Sequence, residues 1–219
     1  MRKKILIFAM IMAQAWTPLL PAQQVVDRIV ARIEDDILTL SEMRELGRFQ
    51  QLANGAGASR EMPGDDALLR QLIDQWIVNT EATVAQFPHP SKQDVQTEVS
   101  RLSTQFGSAE TYGARLKELE LTPDIVARQV ERQIYLARFL DYKLRPTANV
   151  ESAEIEKYYR DELLPELKKR RQAIPALENV EEQIRELLTQ REISARVAKW
   201  LEDTRSRLKI DIVEKKKTP

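Results

Sequence analysis

From Ala114 to Pro219 the chain runs for 106 residues without a glycine, a cysteine or a histidine, and it is rich in leucine, isoleucine, glutamate, lysine and arginine. Such a stretch favours helix and withholds the usual equipment of catalysis. It has no residue free of backbone restriction for a tight approach to substrate, no imidazole or thiol to titrate near neutral pH, and no soft metal ligand. The composition therefore predicts a helical scaffold that holds something. A non-enzyme without cofactor or metal is the expectation.

The first residues set an expected compartment. Met1 to Ala22 carries Arg2, Lys3 and Lys4 and no acid, then an apolar run from Ile5 to Ala13, then small or helix-breaking residues through Pro21 and Ala22. This is the pattern of a secretory signal, with an apolar run too short to span a bilayer. Cleavage after Ala22 leaves the polar start Gln23-Gln24, with cleavage after Ala15 or an uncleaved anchor as alternatives. Removing residues 1–22 leaves 31 basic against 34 acidic residues, a net charge of −3. Exported small domains often rely on disulfides, yet there is no cysteine, and so no lipoprotein attachment site either. A mature chain from Gln23 to Pro219 is long enough to bury a core unaided.

Along residues 23–213 the pattern reads as one domain. Arg28 to Ile33 alternates and is β-rich, Glu34-Asp35-Asp36 is able to turn, and Ile37 to Leu40 is apolar again, which predicts a hairpin. Ser41 is the expected cap of a helix reaching about Leu52, and Asn54 to Asp66 the expected surface loop. Asp65 or Asp66 should cap the next helix, with Leu69, Leu72, Ile73, Trp76, Thr80, Thr83, Val84 and Phe87 as its apolar stripe and Pro88-His89-Pro90 as its stop. Ser91 with Asp94 restarts a helix that Gly107 ends, and Ser108 begins a shorter one. Thr122-Pro123-Asp124 opens a long helix with a stripe at Val126, Val130, Ile134, Ala137, Leu140 and Leu144, stopped by Pro146. Ser152 to Leu163 should form another, closed by Pro165, and Pro175 precedes the last helical region. There the apolar positions change phase. Val180, Ile184, Leu187 and Leu188 cluster on one side, whereas Ile193, Val197, Trp200, Leu201, Thr204 and Leu208 cluster roughly 130° around at 100° per residue. Either the helix breaks near Thr189 or it packs against two partners. Leu208 to Val213 alternates like a strand, and the N-terminal hairpin is its available partner. Residues 214–219 are a basic tail.

With its elements in this order the chain resembles the SurA-like family of periplasmic chaperones. The residues that carry the likeness are Val25 to Ile33, Ile37-Leu38-Thr39-Leu40-Ser41-Glu42, Leu72-Ile73-Asp74, Val150 to Tyr159, and Trp200-Leu201 followed by Leu208 to Ile212. The resemblance implies a mostly α fold: a multi-helix chaperone core with a small antiparallel sheet formed by the N-terminal hairpin and the C-terminal strand. It also implies periplasmic, ATP-independent binding of unfolded or partly folded envelope and outer-membrane proteins. In that family a parvulin-type prolyl isomerase typically follows the Tyr-Tyr helix. Here Pro165 to Asn179 leads directly into the closing helix, and a domain of about 100 residues does not fit. The parvulin histidines are also missing, so the chain looks like the chaperone core alone.

The remaining constellations read modestly. Glu34-Asp35-Asp36 lacks the spacing and glycine of a calcium loop, and Asp65-Asp66 reads as a helix start. His89 is the only histidine and has no cysteine to join it as a ligand. Lys168-Lys169-Arg170-Arg171 and Lys215-Lys216-Lys217 read as solvated surface without interleaved aromatics, with anionic lipid or an acidic client as further possibilities; no nucleic-acid partner is expected. Candidate client-binding residues are Phe49, Met62 and Tyr112, aromatic or soft apolar side chains near loops and helix ends. Tyr158 and Tyr159 point in different directions, so at least one should face the core. An adaptor for one folded partner is the alternative function, a prolyl isomerase with an unrecognised site a lesser one. Monomer and swapped dimer both remain open.

Overall fold

A computed structural model describes residues 27–55 and 63–213. The expected signal, Met62 with most of the expected loop, and the basic tail lie outside them. Strand β1 (Ile29–Ile33) pairs antiparallel with β2 (Asp36–Thr39), Ile33 opposite Asp36 and Ala31 opposite Leu38, with an irregularity between Ile29 and Ala31. The turn places Glu34 at a φ of 51°, a left-handed conformation that costs a non-glycine residue about 1 kcal/mol. The C-terminal segment offsets it. Glu34 donates its N–H to the Lys209 carbonyl at 3.0 Å, and its carboxylate accepts the Lys209 N–H at 2.8 Å.

That segment continues as β3 (Ile210–Ile212), antiparallel on the other side of β1, so the sheet order is β2-β1-β3. Segments near both ends of the described residues thus meet in one sheet, as the alternation of Leu208 to Val213 predicts. β1 is its centre, and Ala31 and Ile33 are fully buried.

Helix α1 (Leu40–Ala53) leaves β2 without a loop, so the last strand residue is its cap. Thr39, not Ser41, accepts the Glu42 N–H, and the Glu42 carboxylate accepts the Thr39 N–H at 2.8 Å, a reciprocal capping box. Ser41 instead donates from its N–H and hydroxyl to Asp27. Helix α2 (Asp65–Val84) begins after Gly64 with no side-chain cap. Asp65 and Asp66 sit inside its first turn, where the helix dipole favours acids.

The α2 stripe holds at Leu69, Leu72, Ile73, Trp76 and Phe87, which are buried or packed against the core, and is corrected at Thr83 and Val84. Its buried residues are Leu68, Leu72, Ile73, Ile77, Val78 and Ala82, while Thr83 is exposed and Val84 is 80% exposed. The reason is that α2 is flanked on several sides and buries a broad surface rather than one face. It stops before Pro88. Gln86 turns left-handed at a φ of 50° and the Phe87 N–H returns to the Ala82 carbonyl at 2.9 Å.

Helices α3 (Lys92–Thr104) and α4 (Ala109–Glu118) start from Ser91 and Ser108 as read, and Asp94 completes the Ser91 capping box. Gly107 follows α3 at a φ of 77°. Helix α5 (Pro123–Leu144) starts from Thr122 with Pro123 in its first turn. Its buried face is Val126, Gln129, Val130, Tyr135, Leu136 and Phe139; Ala137 is exposed, because the face rotates to meet α2 and Phe87. Helix α8 (Leu177–Arg205) is unbroken, which leaves two packing partners as the meaning of its phase change.

Among the described residues the packing forms two apolar cores. One joins the sheet to α1, α2, α5 and the end of α8; the other gathers Phe49 and Leu52 with α3, α4 and the first half of α5. Arg205 locks the end of α8 to Asp74 on α2 through two hydrogen bonds, at 2.7 and 3.3 Å. Ending the chain after Arg205 keeps that pair but removes β3 and the half-buried Leu208 and Ile210. The expected loss is about 3 kcal/mol in urea denaturation. An unchanged midpoint together with unchanged amide protection across 29–33 would rule out this role for the strand.

Candidate functional site

The segment between α5 and α8 builds a frame outside the two cores. A short 3₁₀ turn (Arg145–Thr147) carries Pro146, and α6 (Ser152–Tyr158) follows. Pro165 does not close that helix. The backbone widens into a π-helical turn (Tyr159–Leu163) in which the Leu164 N–H reaches the Tyr159 carbonyl five residues back, and α7 (Leu164–Lys169) continues through the proline. The wide turn absorbs the donor that proline lacks and the crowding its ring imposes on the preceding turn. Chain reversal then comes from Arg171 at a φ of 53°, with the Gln172 N–H returned to the Leu167 carbonyl at 3.0 Å. Residues 172–176, in no helix or strand, lead back to α8. The Tyr159 hydroxyl pins them by donating to the Pro175 carbonyl at 2.6 Å.

Between this hairpin and α8 lies an open groove of about 680 Å³. Tyr158, Leu163 and Leu167 form one wall and Val180, Ile184 and Leu187 the other, with Ile174 and Pro175 across the end. Gln172 and Gln183 are its polar lining. Ile174 is 48% and Leu187 40% exposed, so large apolar side chains face solvent inside a concavity. A second open cavity, of about 860 Å³, lies further along α8, where Ile193 and Val197 face Leu140 and the exposed Tyr142 of α5. Leu187 of the first and Gln190 of the second stand one helical turn apart.

Ion pairs brace the frame. The Arg145 guanidinium donates to both Glu186 oxygens at 3.1 Å and to both Asp141 oxygens at 2.9 and 3.0 Å, tying the end of α5 to α8. Arg145, with help from Gln190, holds the Glu186 carboxyl down at about 2. Arg191 joins Glu162 at 2.9 Å and lies 5.0 Å from the centre of the Tyr158 ring, so the groove-lining aromatic is fixed by a cation.

The candidate residues named from sequence fall elsewhere. Phe49 is 1% exposed, in the second core, and has no surface to offer a client. Its position near the end of α1 suggested exposure, but α3, α4 and α5 cover it. Tyr112 is half-buried against Phe106, ring centres 5.5 Å apart, and burial pushes its phenol up. Met62 lies outside the described residues. Of the tyrosine pair, Tyr158 lines the groove and Tyr159 closes it. Leu163, Leu167, Ile174, Val180 and Leu187 went unnamed as site residues, although the phase change in α8 already marked Val180 and Leu187 as facing something other than the main core.

The groove offers apolar contact and a few amides. Among the described residues no cluster of three or more histidine, cysteine or acidic side chains is arranged to hold a metal, and no helix is long and apolar enough to cross a membrane. His89 stacks on Tyr135 at 4.3 Å between ring centres, with Nδ1 3.5 Å from Glu131, away from the groove lining.

The Glu186 carboxyl carries a pH signature. Its folded pKa, about 2, lies below the ordinary 4.5, so its contribution is complete above about pH 4.5 and is lost as pH falls through 2. Amide protection of residues 177–190 should therefore decline across that window, and Glu186→Gln should lower it at neutral pH while flattening the acid response. Equal acid profiles in wild type and variant would remove Glu186 from this role. Compared with known proteins, the chain matches no family model and no curated protein.

Proposed function

We propose that this chain is an exported, non-catalytic chaperone that captures unfolded segments of envelope proteins without nucleotide. The observation that carries the reading is the open groove in which Ile174 and Leu187 stay exposed on a braced frame. Single exposed apolar residues are ordinary, but apolar side chains gathered in one concavity mark a place for a ligand or partner. Apolar contact is tolerant of sequence, and the tyrosine and leucine walls suit varied extended segments. The likeness of the chain to the SurA-like family points the same way, as does its N-terminal signal pattern. Capture through a shallow groove gives weak, micromolar binding and rapid release, which is what a holding factor without an energy source requires.

The test is light scattering of a denatured outer-membrane protein on dilution. The full chain should suppress aggregation at a few-fold molar excess, and Leu187→Asp should lose most of that effect while keeping its thermal midpoint, since the side chain is already partly in water. A proline-peptide assay should show no turnover above uncatalysed exchange. Unchanged scattering with the wild-type protein would overturn the chaperone reading, and tight binding of one folded partner alone would replace it with an adaptor.

A further inference from the structure

Three of the four cations on the turn beside the groove are left without ion-pair partners. α7 ends in Lys168-Lys169, the left-handed turn carries Arg170-Arg171, and the residues on either side, Leu167 and Gln172, both line the groove. Arg170 is held by Glu166 at 2.8 Å. Among the described residues, Lys168, Lys169 and Arg171 make no ion pair, and all three are exposed. Other cations of the frame are compensated: Lys157 by Asp161, Arg185 by Glu181 and Arg191 by Glu162. Three exposed cations without ion pairs therefore sit on the turn whose neighbours, Leu167 and Gln172, line the apolar trough.

From this asymmetry we infer the chemistry of the occupant: an unfolded protein segment whose apolar stretch is flanked, on one side, by aspartate or glutamate. The inference rests on the groove being the capture site and adds which segments it prefers. Apolar side chains fill the trough, and the acidic flank meets Lys168, Lys169 and Arg171. A protein segment fits better than a membrane surface. The apolar residues line a concavity between α8 and the α6–α7 helix with its returning segment, whereas interfacial binding needs them on a protruding face with cations spread around it. Gln172 and Gln183 also both donate and accept hydrogen bonds, which matches an extended backbone and not an acyl chain.

Fluorescence anisotropy with the full chain tests this. The probes are short labelled peptides sharing one apolar stretch and ending in three aspartates or three lysines, with vesicles of phosphatidylglycerol and phosphatidylethanolamine as the competing surface. The aspartate peptide should bind about tenfold more tightly at low salt, consistent with three weak exposed charge contacts. The preference should shrink in high salt and reverse in the Lys168→Glu, Lys169→Glu, Arg171→Glu variant, all exposed positions whose folding is checked by circular dichroism. Leu187→Asp should weaken both peptides. Equal affinity for the two peptides, with sensitivity to Leu187 retained, overturns the acidic-flank inference and leaves the groove standing. Insensitivity of both to Leu187 overturns the groove reading itself. Vesicle binding that needs the three cations, without peptide preference, overturns the inference in favour of a membrane.

Discussion

β1 has backbone groups on both edges that must be paired once it is buried, and the C-terminal strand supplies the second edge. Everything distal follows from that requirement. With β3 hydrogen-bonded beside β1, and Arg205 held on Asp74, the C-terminal end of α8 is fixed at the sheet. A 29-residue helix is about 44 Å long at 1.5 Å per residue, longer than the core it joins is able to cover. Its first half therefore projects, carrying Val180, Ile184 and Leu187 on a face turned away from the main core. α6 packs against that projecting half, and the groove is the space between α8 and the hairpin formed by the continuous α6–α7 helix and the returning residues 172–176.

The frame around the groove differs in energetics from the two cores. Among residues 148–192 only Ile155 and Ile184 are buried, so area burial contributes little there. Cohesion comes instead from Arg145 with Glu186 and Asp141, from Arg191 with Glu162, and from the Tyr159 hydroxyl on Pro175. Exposed ion pairs are individually worth little, and only bidentate geometry raises their value. Few buried contacts and exposed polar links are the physical marks of a region that opens at low cost. For a groove proposed to accept unlike segments, that is an advantage: the walls adjust while α8 stays anchored through its other half.

What was legible in the sequence was local chemistry. Ser91 with Asp94, Ser108 and Thr122-Pro123 declare their helix starts because each cap needs only residues within one turn. The pairing of Leu208 to Val213 with the hairpin was legible because an alternating strand must have a partner. Thr39 was overlooked as a cap since it also ends a strand, and Pro165 misled because a π turn absorbed it. The stripes of α2 and α5 drifted where several neighbours cover a helix at once, since burial then stops following one period. The same tertiary effect hid Phe49 and displayed Leu187. Residue type is alike at the two positions in apolar character, and only the arrangement of distant helices decides which one meets water.

The absence of glycine after Gly113 turns out to constrain recognition more than it constrains the fold. Two helix ends in that region reverse with ordinary residues in the left-handed conformation, Glu120 and Arg171. Each is held by a hydrogen bond that returns to the preceding helix: the Leu121 N–H to the Leu116 carbonyl and the Gln172 N–H to the Leu167 carbonyl. Left-handed turns elsewhere often present their amides outward as anion nests. At the rim of this groove the Gln172 amide is already spent inside the turn. If the groove binds as proposed, contact there falls to side chains: leucine, isoleucine and tyrosine for apolar contact, two glutamine amides, and the cations of the turn. A surface of that kind discriminates by hydrophobicity and charge, with little dependence on exact shape, which is the selectivity a binder of unfolded segments needs.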